Sequence, residues 1–118
     1  MLPQAFRLKR SGLFQKTLAS GKVLCQNPRF LVLGLKRVYE SPTPTRFGFI
    51  VSRKISNRAN VRNKVKRRLR ELVRALIKTP WMEPLAPYIA VVVIARQGIC
   101  DTSYGELHAL LLQCLKRR

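Results

Sequence analysis

Three observations in the sequence predict a single-domain α+β fold. Between Arg58 and Lys78 the apolar residues Val61, Val65, Leu69, Leu72, Val73, Leu76 and Ile77 recur at steps of three and four, which is one face of a long helix. Tyr88 to Arg96 is almost wholly β-branched and apolar, the pattern of a strand buried on both faces. Arg46 to Lys54 alternates, with Phe47, Phe49 and Val51 on one side and Gly48, Ile50, Ser52 and Lys54 on the other, so it predicts another strand. At 118 residues with 47% hydrophobic content, residues 1–118 suit one domain with a real core and not a disordered basic tail.

The remaining elements follow in order. Met1 to Arg10 lacks periodicity and is expected to be extended. Ser11 offers a helix cap, Leu13, Phe14 and Leu18 fall at helical spacing, and Gly21 stops a helix of about two turns. Lys22 to Arg37 is apolar and broken by Asn27-Pro28, which predicts two strands joined by a turn. Ser41-Pro42-Thr43-Pro44-Thr45 is a rigid polar connection, and Pro80, Pro84 and Pro87 make Thr79 to Pro87 a loop. Ser103, with Glu106 three residues on, opens a final helix whose stripe is Leu107, Leu110, Leu111 and Cys114. The order is αβββαβα, without internal repeats.

Charge narrows the function classes. With 24 Lys and Arg against 5 Asp and Glu the formal net charge is +19, which calls for a polyanionic partner. From Arg53 to Arg74 there are ten cations and one acid, Glu71. On the long helix Arg62, Lys66 and Arg70 form an i, i+4, i+8 ridge beside the apolar face, and Lys64, Arg67, Arg68 and Arg74 fill the outer arc. Solvated helix faces ordinarily mix both signs, so a face of one sign points to phosphates, for which Arg supplies a planar fork. Charge alone leaves a ribosomal protein and a DNA-binding protein open, because a basic helix can enter a DNA major groove whereas A-form RNA is bound mostly through shape and backbone.

Other functions find little support. Glu40, Glu71, Glu83, Asp101 and Glu106 are scattered and His108 lies far from the basic stretch, so neither an acid/base pair nor a metal site is expected, and no catalytic residue is assigned. Cys25, Cys100 and Cys114 are odd in number and widely spaced, which predicts reduced thiols packed as small hydrophobes. The longest apolar run, Ile89 to Ala95, is too short to span a membrane, and Met1 to Gly12 has no signal-peptide core, so a cytoplasmic protein without membrane partners is expected.

Val51-Ser52-Arg53-Lys54, followed by Arg62-Asn63-Lys64-Val65-Lys66-Arg67-Arg68-Leu69-Arg70-Glu71, resembles the signature of the bacterial ribonuclease P protein subunits, an S-K-K strand end and R-N-R-x-K-R-x-x-R-E on the long helix. Arg7-Leu8-Lys9-Arg10, Phe14, Gly21, Arg46, Gly48 and Ala95-Arg96 extend the match over nearly the whole chain. The resemblance implies an αβββαβα two-layer sandwich like the second domain of ribosomal protein S5, with a left-handed βαβ crossover. It implies one copy of the protein bound to a catalytic RNA, ribonuclease P RNA, through Arg62, Asn63, Lys64, Lys66, Arg67 and Arg70. The 5′ leader of precursor tRNA would meet Phe14, as a stacking face, and Ser52, Arg53 and Lys54. The endoribonuclease chemistry would belong to the RNA and its Mg2+ ions. Lys64 stands where the pattern has an Arg and gives up a bidentate fork, Arg53 replaces a Lys, and Leu18 and Leu33 stand where some members carry aromatics.

Overall fold

The computed structural model describes residues 4–9, 12–38, 43–77 and 79–116. Its elements are α1 (Gly12–Ser20), β1 (Lys22–Gln26), β2 (Phe30–Lys36), β3 (Arg46–Ile50), α2 (Ala59–Leu76), β4 (Tyr88–Ala95) and α3 (Tyr104–Lys116), with short 3-10 turns at Gln4–Phe6, Pro80–Leu85 and Ile99–Asp101. The mixed α+β order is the expected one. The expected cap Ser11, part of the Ser41-Pro42 connection and Lys78 lie outside the described residues.

The four strands are ordered β1-β2-β4-β3, antiparallel except for the parallel pair β3 and β4, which α2 connects. Alternation along the strands separates two faces. Phe30, Val32, Phe47, Val91 and Val93 join Val65, Leu69, Leu72, Val73 and Leu76 of α2 and Leu107, Leu111 and Leu115 of α3 in the main core. On the other face Ala90 and Val92 pack with Phe14 of α1 and with Leu8. β4 is central and buried almost throughout, which accounts for its unbroken apolar sequence.

Local chemistry explains most boundaries. Between β1 and β2 the Asn27 carboxamide oxygen accepts from the Arg29 and Phe30 backbone N–H groups at 2.8 and 3.0 Å, an Asx turn. Beyond α2 the Thr79 hydroxyl donates to the Leu76 carbonyl at 2.7 Å, and Pro80 prevents continuation. At the start of α3 the Ser103 hydroxyl accepts from the Glu106 backbone N–H at 3.2 Å.

Three expectations need correction. The strand expected to reach Lys54 ends at Ile50, and the Ile55 N–H bonds to the Ser52 carbonyl at 3.0 Å, closing a turn that side-chain alternation does not reveal. Pro80 to Leu85, expected as loop, is a 3-10 helix, for which a proline at the first position is well suited. Cys25 and Cys114, expected as free thiols, form a disulfide with a Cα–Cα distance of 5.7 Å. They are 89 residues apart in sequence and meet because α3 packs against β1. Cys100 is the free thiol among the described residues.

Candidate nucleic-acid interface

The long helix sorts its side chains as its periodicity predicts, except that Arg68, expected on the outer arc, is half-buried. Val65, Leu69, Leu72, Val73 and Leu76 are buried, while Asn63, Lys64, Arg67 and Arg74 are exposed on the outer arc. Arg62, Lys66 and Arg70 are half-buried between the two, a position that suits long cationic side chains with aliphatic stems. Within the helix only Glu71 opposes this charge, and it lies 3.6 Å from Arg74. Arg62, Asn63, Lys64, Lys66, Arg67 and Arg70 therefore share one continuous basic surface.

Arg62 has a second connection. Its Nη1 donates to the Ser56 carbonyl at 2.9 Å, tying the first turn of α2 to the loop that leaves β3. That loop carries Ser52, Arg53 and Lys54, all exposed, at the C-terminal end of β3. The structure thus brings the strand-end set beside the first member of the helix set, over a connection of a few residues.

Phe14 is placed differently from the expected stacking face. Its ring is 3% exposed and packs with Leu8, Ala90 and Val92. A Cβ on Gly48 would lie 2.7 Å from the Phe14 ring, so the glycine leaves the space that the ring occupies. A two-turn helix has little apolar surface, and this ring anchors it to the sheet. Leu18 is half-buried in the same cluster.

Two features escaped sequence reasoning. Leu31 pairs with Ile94, and Ile94 with Ile50, so these three half-buried aliphatic residues form a row across β2, β4 and β3 on the α1 side of the sheet. The row lies at the end of β3 that leads into Ser52–Lys54, and makes an apolar shelf next to the cations. The adjacent row, Leu33, Val92 and Gly48, is the one Phe14 covers. Alternation identifies the facing of each residue, but the row exists only because β4 lies between β2 and β3. The second feature is Arg96, which donates to the Asn27 carbonyl and the Gln26 side-chain oxygen, each at 3.2 Å, and so fixes the turn between β1 and β2 at this end of the sheet.

Among the described residues no group of three or more His, Cys, Asp or Glu is placed to hold a metal ion, and no helix is long and apolar enough to cross a membrane. A small α+β domain whose cations are massed on one helix and the neighbouring strand end is, by fold and surface, a nucleic-acid-binding protein.

Comparison with known proteins specifies the class. Residues 2–118 match the family model described as Ribonuclease P. The ribonuclease P protein component of Symbiobacterium thermophilum is 39% identical over 116 residues, covering 98% of this chain and 93% of the relative. That of a Mycobacterium species (strain KMS) is 33% identical over 117 residues, covering 99% and 92%. The Staphylococcus aureus RNase P protein superposes with a TM-score of 0.76 at 29% identity, covering 97% of this chain and 95% of that one. The Thermotoga maritima RNase P protein gives 0.73 at 30% identity, covering 95% and 96%. The chain belongs to the ribonuclease P protein family.

Proposed function

We propose that this chain is the protein subunit of an RNA-based ribonuclease P, holding the catalytic RNA on α2 and the 5′ leader of precursor tRNA at the β3 end of the sheet. The observation that carries this reading is the basic side of α2, where the exposed Asn63, Lys64 and Arg67 and the half-buried Arg62, Lys66 and Arg70 stand together with Glu71 as the helix's single acid. A surface of one sign is costly to maintain in isolation, and a phosphate backbone relieves the repulsion while releasing its counterions. Membership of the family supports RNA over DNA as that backbone and favours this reading over a ribosomal protein.

The leader site is built from Ser52, Arg53 and Lys54 beside the shelf of Leu31, Ile94 and Ile50. Exposed cations meet leader phosphates, and the shelf takes the faces of unstacked bases. Phe14 is no leader contact in this reading: it anchors α1 over the next row of the sheet and serves the fold as a whole. Hydrolysis, with magnesium ions that the catalytic RNA holds, is the work of the RNA. This chain's residues neutralise phosphate where RNA and substrate converge and add affinity for precursor over product. One copy per RNA in the cytoplasm completes the proposal.

The test compares precursor tRNA with mature tRNA on the assembled complex. Lys54→Ala should weaken precursor binding several-fold and leave mature tRNA nearly unchanged. Equal weakening of both would remove the leader site from this end of the sheet.

A further inference from the structure

We infer that a second RNA-backbone site lies at the opposite end of β3, in the groove between the N-terminal segment, the start of α1 and the start of β3. The inference rests on the RNA-binding reading above and adds a surface that reading does not use. Gln4, Arg7, Lys9 and Arg46, with Leu8 and Leu13, line a groove of about 640 Å³. Its walls are held by backbone pairing. The Leu8 N–H donates to the Phe47 carbonyl at 2.9 Å, and Arg7 forms a parallel bridge with Phe47, so the N-terminal segment extends the sheet beyond the edge of β3.

This pairing turns separate stretches of sequence into one cationic surface. Leu8 is buried at 8% exposure and anchors the segment, while Lys9 and Arg46 are exposed and Arg7 is half-buried. None of the lining residues is acidic. Three cations in a concavity suit successive phosphodiesters, the Gln4 carboxamide suits a ribose hydroxyl, and the half-buried Leu13 offers an apolar wall to a base. Arg46 lies four residues before Ile50 along β3, which is about 13 Å at the rise of an extended strand. The groove is therefore separate from the Ser52–Lys54 end, and a strand of RNA would have to pass the N-terminal end of α1 to reach both.

The occupant's chemistry is an RNA phosphodiester backbone, which the leader, the body of tRNA or the catalytic RNA could each supply. The experiment uses the full chain carrying Lys9→Gln and Arg46→Gln together, with Lys16→Gln and Lys22→Gln as a control pair of equal charge change on exposed residues elsewhere. Binding is measured to ribonuclease P RNA alone. The assembled complex is then offered precursor tRNA with a long leader, precursor tRNA with a short leader, and mature tRNA. The groove pair should lose roughly tenfold more affinity than the control pair in at least one arm, and should flatten the log K against log[salt] line there by roughly 1.4 to 1.8, two phosphate contacts' worth.

Loss with ribonuclease P RNA alone assigns the groove to that RNA. Loss confined to the long leader assigns it to the leader, and equal loss across the three substrates assigns it to the tRNA body. Equal effects of the groove and control pairs in every arm overturn the site. Arg67→Ala in the same assay reports on the α2 surface, so the two readings fail separately.

Discussion

The Phe14 ring fills the space over β3 where a side chain on Gly48 would stand, with a Cβ there only 2.7 Å from the ring and 3.3 Å from Leu8 Cδ2. An aromatic on a short helix thus serves as the anchor of α1. Gly48→Ala should overpack this contact and cost about 1–3 kcal/mol. Phe14→Leu should lose stability through the gap it leaves and weaken precursor and mature tRNA binding alike. Thermal melts of the two variants check the first statement. Selective loss of precursor binding by folded Phe14→Leu would restore the ring as a leader contact.

Arg62 and Arg67 are expected to separate when changed to Ala. Arg67 is exposed, so its loss should leave the melting temperature nearly unchanged, weaken binding of the catalytic RNA, and flatten the salt dependence by roughly 0.7–0.9. Arg62 also bonds the Ser56 carbonyl, so Arg62→Ala should lower both RNA affinity and stability, the latter by about 0.5–1.5 kcal/mol. Calorimetry beside RNA titration distinguishes the two. A stability loss for Arg67→Ala as large as that for Arg62→Ala would place Arg67 in the scaffold.

The Cys25–Cys114 disulfide joins β1, an edge strand, to the C-terminal helix across 89 residues of sequence. Closing so long a loop restricts the unfolded chain, and reduction should cost about 2–4 kcal/mol. Neither cysteine belongs to the cationic sets. Melting with and without a dithiol should therefore show a lower transition temperature on reduction, while affinity for RNA at temperatures where both forms are folded stays the same. Cys25→Ser should match the reduced protein and be insensitive to the dithiol.

What could be inferred from sequence divides along physical lines. The α2 face was legible because burial on one side imposes a helical period on residues adjacent in the chain, with the basic arc as its complement, and β4 was legible because burial on both faces leaves an unbroken apolar run. The end of β3 was not, because Ser52 and Lys54 continue the alternation of Phe47 to Val51 while the backbone has already turned at Ser52–Ile55. The order β1-β2-β4-β3 and the disulfide depend on contacts between distant segments, which no local period encodes. The Leu31, Ile94 and Ile50 row and the Arg7, Lys9 and Arg46 groove depend on that same pairing, so their residues could be named in sequence but not assembled. Phe14 shows the converse, since the residues alone suit a core aromatic anchoring a short helix, as the structure has it, and the stacking face came only from the family resemblance.

The most direct test of the division of labour is cleavage of precursor tRNA in three mixtures at one low magnesium concentration: the purified protein, ribonuclease P RNA, and the two together. The account predicts no cleavage by the protein, little by the RNA, and efficient release of the leader by the pair, with the gain reduced by Arg67→Ala. Cleavage by the RNA-free protein, lost on changing His108 or a carboxylate, or a pair no more active than the RNA alone, would contradict it.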